Sequence, residues 1–120
     1  MYSASCHCGA VQITVMQKLE TLTECNCSIC RRYGAQWLYC TQKTTKVCYQ
    51  ENTLAMYTWG KKYLEFYHCD ICGCLTHYET IDKSDMGRLA VNARMMPPAD
   101  VIGAEIKIFD GADTLQYLAE

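Results

Sequence analysis

The chain has 120 residues, a length that suits one domain, and half of its residues are hydrophobic, which is enough to build a core. Its formal net charge is −2 and it contains no basic run, so the composition argues against a nucleic-acid partner. No apolar run reaches transmembrane length, which argues against a membrane protein, and we expect a single domain over residues 1–120.

Most of the chain alternates between apolar and polar residues with period two, which is the pattern of half-buried strands. In chain order, the predicted strands cover residues 11–15, 22–24, 37–40, 46–49, 54–59, 63–68, 75–80, 88–94 and 105–109. Short helical segments are predicted near residues 28–33 and 98–101, and a hairpin turn is predicted at residues 59–62. The pattern predicts a mainly β, antiparallel fold of short strands with little helix.

Ten cysteines in 120 residues is a high density. In a secreted chain, this density would indicate a disulfide scaffold. However, the cysteine pattern begins at Cys6, which leaves no room before it for a signal peptide. We therefore expect a reducing, cytoplasmic location, where clustered cysteines more often bind metal.

Two separated cysteine pairs have the spacing of one zinc site. Cys6 and Cys8 form a C-x-C pair, Cys69 and Cys72 form a C-x-x-C pair, and a glycine follows each pair. Four thiolates make a closed tetrahedral zinc site, which should be structural and should add folding free energy. One alternative is that these are buried free cysteines, but this does not explain why they occur in pairs that are each followed by glycine. The other is that Cys69 and Cys72 form a thioredoxin-like redox pair, but the sequence around them lacks the βαβ pattern of that fold.

A second cluster consists of Cys25, Cys27 and Cys30, which lie within six residues. Three protein ligands with one exchangeable position are the arrangement of a catalytic zinc, which deprotonates a bound thiol or water. This predicts two zinc ions per chain and assigns the chemistry to the open site. Closure by a fourth cysteine is the alternative. The cysteines available for closure are Cys40, Cys48 and Cys74.

Four polar residues are predicted to bind substrate. Arg31 and Arg32 follow the open cluster, and Asn92 and Arg94 lie on one face of a predicted strand. A guanidinium can bind a carboxylate through two parallel hydrogen bonds, and it favours thiolates nearby. The alternative for each residue is an ordinary solvated or ion-paired role, which is the default on the outer face of a strand.

The motifs C-x-C-G, C-x-C-S-x-C-R-R-x-G and C-x-x-C-G, with V-N-A-R at residues 91–94 and F-D-G-A-D-T at residues 109–114, carry a family resemblance. They resemble the glutathione-dependent formaldehyde-activating enzyme family, which also contains centromere protein V. The resemblance implies an antiparallel β-tent fold with two zinc sites. It places the paired cysteines on the structural zinc and the cluster of three on the catalytic zinc.

The resemblance also implies a reaction, the condensation of glutathione with formaldehyde to S-hydroxymethylglutathione, or its reverse, a carbon–sulfur lyase step. Zinc would hold the glutathione thiolate, and the carboxylates of the tripeptide would need cationic partners. The chain departs from the founding enzymes in being shorter, in having Cys74 where threonine or serine is commoner, and in having Tyr67 and His68 before Cys69 where phenylalanine is usual.

Two other hypotheses compete with this reaction. One is an enzyme of the same type that acts on a different thiol or aldehyde. The other is a non-catalytic interaction module in which both zinc sites are structural and a surface binds another macromolecule.

Overall fold

The computed structural model describes residues 1–60, 63–84 and 87–118. Its strands are β1 (Tyr2–Ser5), β2 (Val11–Val15), β3 (Thr21–Cys25), β4 (Trp37–Cys40), β5 (Thr45–Tyr49), β6 (Leu54–Tyr57), β7 (Leu64–Cys69), β8 (Leu75–Thr80), β9 (Leu89–Asn92) and β10 (Glu105–Phe109). Its helices are α1 (Cys30–Tyr33), α2 (Pro98–Val101) and a 3-10 turn at Ala93–Met95. No helix in the described ranges combines the length and apolar character needed to cross a membrane.

The strands form two sheets. The small sheet has the order β1–β2–β5, and the large sheet has the order β10–β3–β4–β9–β8–β7–β6. Neighbouring strands are antiparallel throughout, except that β10 runs parallel to β3. The mainly β prediction is confirmed. The single parallel pair arises because the chain returns to β3 only after a long crossover through the large sheet and α2, as parallel pairing requires.

Two details of the strands differ from the sequence prediction, and one predicted turn includes residues that the structure does not describe. The alternation pattern does not predict β1, because only Ala4 of its residues is buried. The strand predicted at residues 88–94 ends at Asn92, whose side chain accepts a hydrogen bond from the Arg94 N–H and starts the 3-10 turn. The hairpin turn predicted at residues 59–62 includes residues 61 and 62, which lie outside the described residues.

One face of the large sheet packs against the small sheet to form the main core. Leu38 of β4 and Val91 of β9 are opposite each other, and they contact a cluster that includes Ile13 and Val15 of β2. All four side chains are at most 3% exposed. The apolar residues that alternate along β2 therefore lie on its buried face, as the sequence pattern predicts.

The opposite face of the large sheet carries an aromatic cluster. Trp37 packs edge-on against Tyr78 with ring centroids 4.7 Å apart, and Phe66 lies 5.4 Å from Tyr78. Cys30 of α1 packs on these rings and is itself buried. Because consecutive strand residues point to opposite faces, α1 lies across the large sheet from the small sheet.

His77 is a buried titratable group in β8, and its Nδ1 hydrogen bonds to the Thr76 hydroxyl at 2.8 Å. Burial lowers the pKa of His77 to about 4, and Lys83 adds to this effect, although Glu79 Oε2 lies 3.8 Å from Nε2. An unfolded histidine has a pKa of about 6.5, so the unfolded chain takes up a proton first as the pH falls. We therefore expect His77 to lower the free energy of unfolding progressively as the pH falls from about 6.5 to about 4.

The test compares the native protein with His77→Gln in urea unfolding at pH 7 and pH 5. The loss of unfolding free energy between these pH values should be roughly 2 kcal/mol smaller in the variant, from the lowered pKa of His77. Metal release in acid affects both proteins and cancels in the difference. The same pH dependence in both proteins would contradict the expectation.

Candidate metal centres

The first cysteine cluster joins two distant turns. Cys6 and Cys8 lie in the turn between β1 and β2, Cys69 ends β7, and Cys72 lies in the turn that follows. Their four sulfur atoms lie within 4.8 Å of one another. The Cys8 sulfur is 3.7 Å from that of Cys6 and 3.6 Å from that of Cys69. Four sulfurs around a tetrahedral zinc are about 3.8 Å apart, so these thiols fit the ion closely.

Glycine makes both of these turns possible. Gly9 has φ +84° and Gly73 has φ +79°, a left-handed conformation in which other residues are strained. The Gly73 N–H donates a hydrogen bond to the Cys69 carbonyl at 2.8 Å and closes the second turn. The glycine after each cysteine pair therefore bends the chain so that both thiols converge on one point.

Backbone N–H groups surround the sulfur atoms of this cluster. The Val11 N–H donates to the Cys6 sulfur at 3.3 Å. Hydrogen bonds from the N–H groups of Cys74 and Cys8 lower the pKa of Cys72 to about 5. Because metals bind the thiolate and not the thiol, these donors reduce the cost of deprotonation when a metal binds.

The second cluster is local in sequence. Cys25 ends β3, Cys27 lies in the following turn, and Cys30 begins α1. Their three sulfur atoms lie within 4.8 Å of one another, and the Cys30 N–H approaches the Cys27 sulfur at 3.5 Å. Among the described residues, no further Cys, His, Asp or Glu joins this group. It is therefore a set of three ligands that leaves a coordination position open.

The cysteines that were candidates for closing the second site lie elsewhere. Cys40 is buried between the two sheets, and its thiol donates to the Leu38 carbonyl at 3.4 Å. Cys48 is exposed on β5. Cys74 packs beside the four-cysteine cluster. In the described structure, none of them is positioned to act as a fourth ligand.

The backbone also favours a thiolate at the second cluster. A hydrogen bond from the Cys30 thiol lowers the pKa of Cys25 to about 5. Hydrogen bonds from the N–H groups of Cys27 and Gly111 also lower this pKa, whereas burial raises it. The hydrogen bond with Cys25 and burial raise the pKa of Cys30. These hydrogen bonds therefore favour the thiolate form of Cys25 over that of Cys30.

Gly111 is a site residue that sequence reasoning did not select. A Cβ added to Gly111 would lie 2.7 Å from the Cys25 sulfur and 3.1 Å from the Cys27 Cβ. Only a residue without a side chain allows the backbone to come this close to the thiols. In the sequence, this role is indicated by the position of Gly111 inside the F-D-G-A-D-T segment, which is one of the motifs that carry the family resemblance.

Hydrogen bonds attach the turn that carries Gly111 to the cysteine loop. The Asn26 amide donates to Asp110 Oδ1 at 3.0 Å, and its oxygen accepts from the Ala112 N–H at 3.0 Å. Asp110 also accepts from the Thr114 hydroxyl at 2.9 Å. The bond from Asn26 and those from Thr114 lower the pKa of Asp110. Asp110 therefore orders this turn.

A cavity of about 330 Å³ opens beside the second cluster. Cys25 and Cys30 form part of its wall, and its charged residues are Glu24, Arg31 and Arg94. The size is at the lower end of the range typical of small-molecule sites. The structure thus brings two of the four predicted substrate-binding residues to the open cysteine set.

The other two predicted residues have different surroundings. Arg32 is exposed, is not part of the cavity lining, and donates to the Ser28 carbonyl at 2.6 Å. Asn92 is 3% exposed, and its amide donates to the Leu75 carbonyl at 2.9 Å. Its oxygen accepts from the Arg94 N–H at 3.2 Å. The Asn92 side chain therefore supports the backbone that positions Arg94.

Comparison with known proteins relates the fold and the sequence of this chain to other proteins. A Rhodobacter sphaeroides protein, whose crystal structure was a Northeast Structural Genomics target, superposes with a TM-score of 0.70 at 26% identity, over 87% of this chain and 98% of that one. Comparison with curated proteins gave no match. The sequence model of one family matches residues 1–111, which include both cysteine clusters. The chain belongs to the glutathione-dependent formaldehyde-activating enzyme family.

Proposed function

We propose that this protein is a zinc-dependent enzyme of the carbon–sulfur lyase type. It condenses glutathione, or a related thiol, with formaldehyde or another small aldehyde to give the S-hydroxymethyl type of adduct. The observation that carries the proposal is an open set of three cysteine sulfurs, of which Cys25 and Cys30 line a cavity with both positive and negative side chains. Free thiols and glutathione are both typical of a reducing cytoplasm.

The two clusters would hold zinc in different roles. The ligands of the structural zinc are Cys6, Cys8, Cys69 and Cys72, and those of the catalytic zinc are Cys25, Cys27 and Cys30. When bound to three cysteines, zinc supplies a Lewis acid that lowers the pKa of a thiol in the open position. The Gly111 N–H beside Cys25 offsets part of the negative charge that three thiolates bring together.

The charges of the cavity match those of glutathione. Glutathione has two carboxylates and one ammonium group, and the cavity presents two guanidinium groups and one carboxylate. The Arg94 Nε donates to the Gly34 carbonyl at 3.0 Å, which orients its guanidinium, and its Nη2 lies 4.0 Å from Glu24. Because this ion pair is long and exposed, a substrate carboxylate can replace it at little cost.

In the forward reaction, the thiolate sulfur forms a bond to the aldehyde carbon. The π electrons of the carbonyl move to its oxygen, which takes up a proton, and the reverse reaction breaks the same carbon–sulfur bond. Arg31 and Arg94 hold the tripeptide so that its sulfur reaches the open position beside Cys25 and Cys30. Such positioning converts an encounter of two solutes into a reaction within one complex.

The first test is a calorimetric titration of glutathione into the zinc-loaded protein, with zinc per chain measured on the same sample. We expect two zinc ions per chain and saturable binding. If the protein holds two zinc ions but does not bind glutathione, glutathione is not its thiol substrate. That result would favour the non-catalytic interaction module, in which both zinc sites are structural.

The role of Arg94 is tested with Arg94→Gln and a matched control, Arg32→Gln. A charge-assisted hydrogen bond contributes about 1.5–3 kcal/mol, so Arg94→Gln should weaken glutathione binding by about 10- to 100-fold. Arg32 lies outside the cavity lining, so its variant should bind as the native protein does. Equal losses in both variants would point to a general effect of positive charge and would contradict a specific contact with Arg94.

A further inference from the structure

The C-terminal segment beyond the family match folds back along the large sheet. Residues 112–118 follow the matched range of 1–111. The Asp110 N–H donates to the Gln116 carbonyl at 2.8 Å, and the Leu118 N–H donates to the Ile108 carbonyl at 2.8 Å. These bonds place Tyr117 opposite Phe109 of β10, with the two rings 5.2 Å apart. The segment is therefore fixed against the strand that borders β3.

The Tyr117 hydroxyl reaches a buried polar group on β3. It lies 3.3 Å from the Thr23 hydroxyl. Thr23 is only 3% exposed, whereas the Tyr117 side chain is 50% exposed. Thr23 thus orients the phenol from the inside, while half of the Tyr117 residue faces solvent.

This hydroxyl group lies next to the open cysteine set. Thr23 and Cys25 are two residues apart on β3, so they share a face with Cα atoms roughly 6.5 Å apart. Phe109, which packs on Tyr117, is the register partner of Cys25 in the parallel β3–β10 pair. Tyr117 is therefore connected to Cys25 through two partners, Thr23 on β3 and Phe109 on β10.

The charged cavity reaches Cys25 at the end of β3, where residues of α1 also line it. Glu24 and Ile108 line that cavity and are register partners in β3 and β10. Because strand residues alternate between faces, these two side chains point away from the face of Thr23 and Phe109. Cys25 therefore lines the charged cavity and shares its face of β3 with Thr23. The Arg88 guanidinium also lies on this face of the sheet, 3.8 Å from the centroid of the Tyr39 ring.

We propose that Tyr117 forms a subsite for the aldehyde and donates a hydrogen bond to its oxygen, while the Thr23 hydroxyl donates to the phenol oxygen and positions it. The inference rests on the proposed function and adds a residue outside the family match. As the sulfur–carbon bond forms, the carbonyl π pair moves to oxygen, and this oxygen takes a proton from the Tyr117 hydroxyl. The phenolate then takes back one proton from the solvent, which balances the proton that the glutathione thiol released when it became the thiolate. A donor aimed at the oxygen that gains charge lowers the barrier directly.

The test measures steady-state kinetics of Tyr117→Phe with glutathione and formaldehyde, with Tyr49→Phe as the control. Tyr49 is 55% exposed on β5, in the other sheet. We expect kcat of Tyr117→Phe to fall by about 10- to 1,000-fold, as for the loss of one such donor, with KM for glutathione and zinc content unchanged. An unchanged kcat would overturn the inference.

A binding measurement separates a contact with the ligand from a merely structural role. S-hydroxymethylglutathione and S-ethylglutathione differ in a hydroxyl against a methyl group at the same position, and their affinities can be measured by ligand-observed NMR. The native protein and Tyr49→Phe should prefer the hydroxyl compound several-fold, and Tyr117→Phe should lose this preference.

The outcomes distinguish the two proposals. If the native protein binds glutathione and turns it over, but Tyr117→Phe keeps both the rate and the preference for the hydroxyl compound, the inference falls and the proposed function stands. If the native protein neither binds glutathione nor forms the adduct, the proposed function falls and takes the aldehyde subsite with it.

Discussion

Replacing Cys69 with serine is expected to unfold the protein. Cys69 is fully buried, and its sulfur lies 3.6 Å from that of Cys8, in a cluster that joins the β1–β2 turn to the end of β7. Structural zinc in small domains contributes about 10–16 kcal/mol to folding, which is comparable to the whole stability of about 5–15 kcal/mol of a typical domain. Losing one of the four ligands removes most of that contribution.

Circular dichroism during heating and zinc per chain measure this effect. Cys48→Ser is the control, because Cys48 is an exposed thiol on β5 outside both clusters. We expect the control to unfold as the native protein does with two zinc ions. Cys69→Ser should show little cooperative unfolding at room temperature. A Cys69→Ser protein with native thermal unfolding would show that the four-cysteine site is not structural.

Replacing Gly111 with alanine is expected to abolish activity while leaving the protein folded. The added Cβ would lie 2.7 Å from the Cys25 sulfur, closer than real Cβ contacts come, and 3.1 Å from the Cys27 Cβ. The turn cannot easily move away, because Asn26 fixes it through Asp110. The clash therefore pushes Cys25 out of the set of three, and we expect loss of the second zinc and at least a 100-fold fall in kcat, in line with a misplacement of about 1 Å at a reacting centre.

Gly103→Ala is the matched control, because a Cβ at Gly103 meets no atom within 4 Å. It should keep two zinc ions and full activity. Gly111→Ala should keep one zinc ion and a thermal transition near that of the native protein, since the closed cluster is untouched. Two zinc ions with native activity in Gly111→Ala would show that the turn is not packed against the thiols as described.

The sequence by itself identified the two cysteine groups that could hold metal and the class of fold. Both follow from local rules. Cysteines at C-x-C and C-x-x-C spacing converge when a glycine bends the chain after them, and period-two alternation marks strands wherever one face is buried. Local spacing was therefore sufficient to identify the two cysteine pairs and the group of three and to place most of the strands, whereas the contact between Cys8 and Cys69 depends on the tertiary structure.

The tertiary structure alone decided which residues surround the open cysteines. Arg31 and Arg94 reach the cavity while Arg32 and Asn92 do not, because the side-chain direction depends on how α1 and the 3-10 turn pack. The parallel pairing of β10 with β3 brings Gly111 to the thiols, although they are more than 80 residues apart in the chain. Contacts of this kind depend on strand register and on close packing between distant segments, which no local spacing rule encodes.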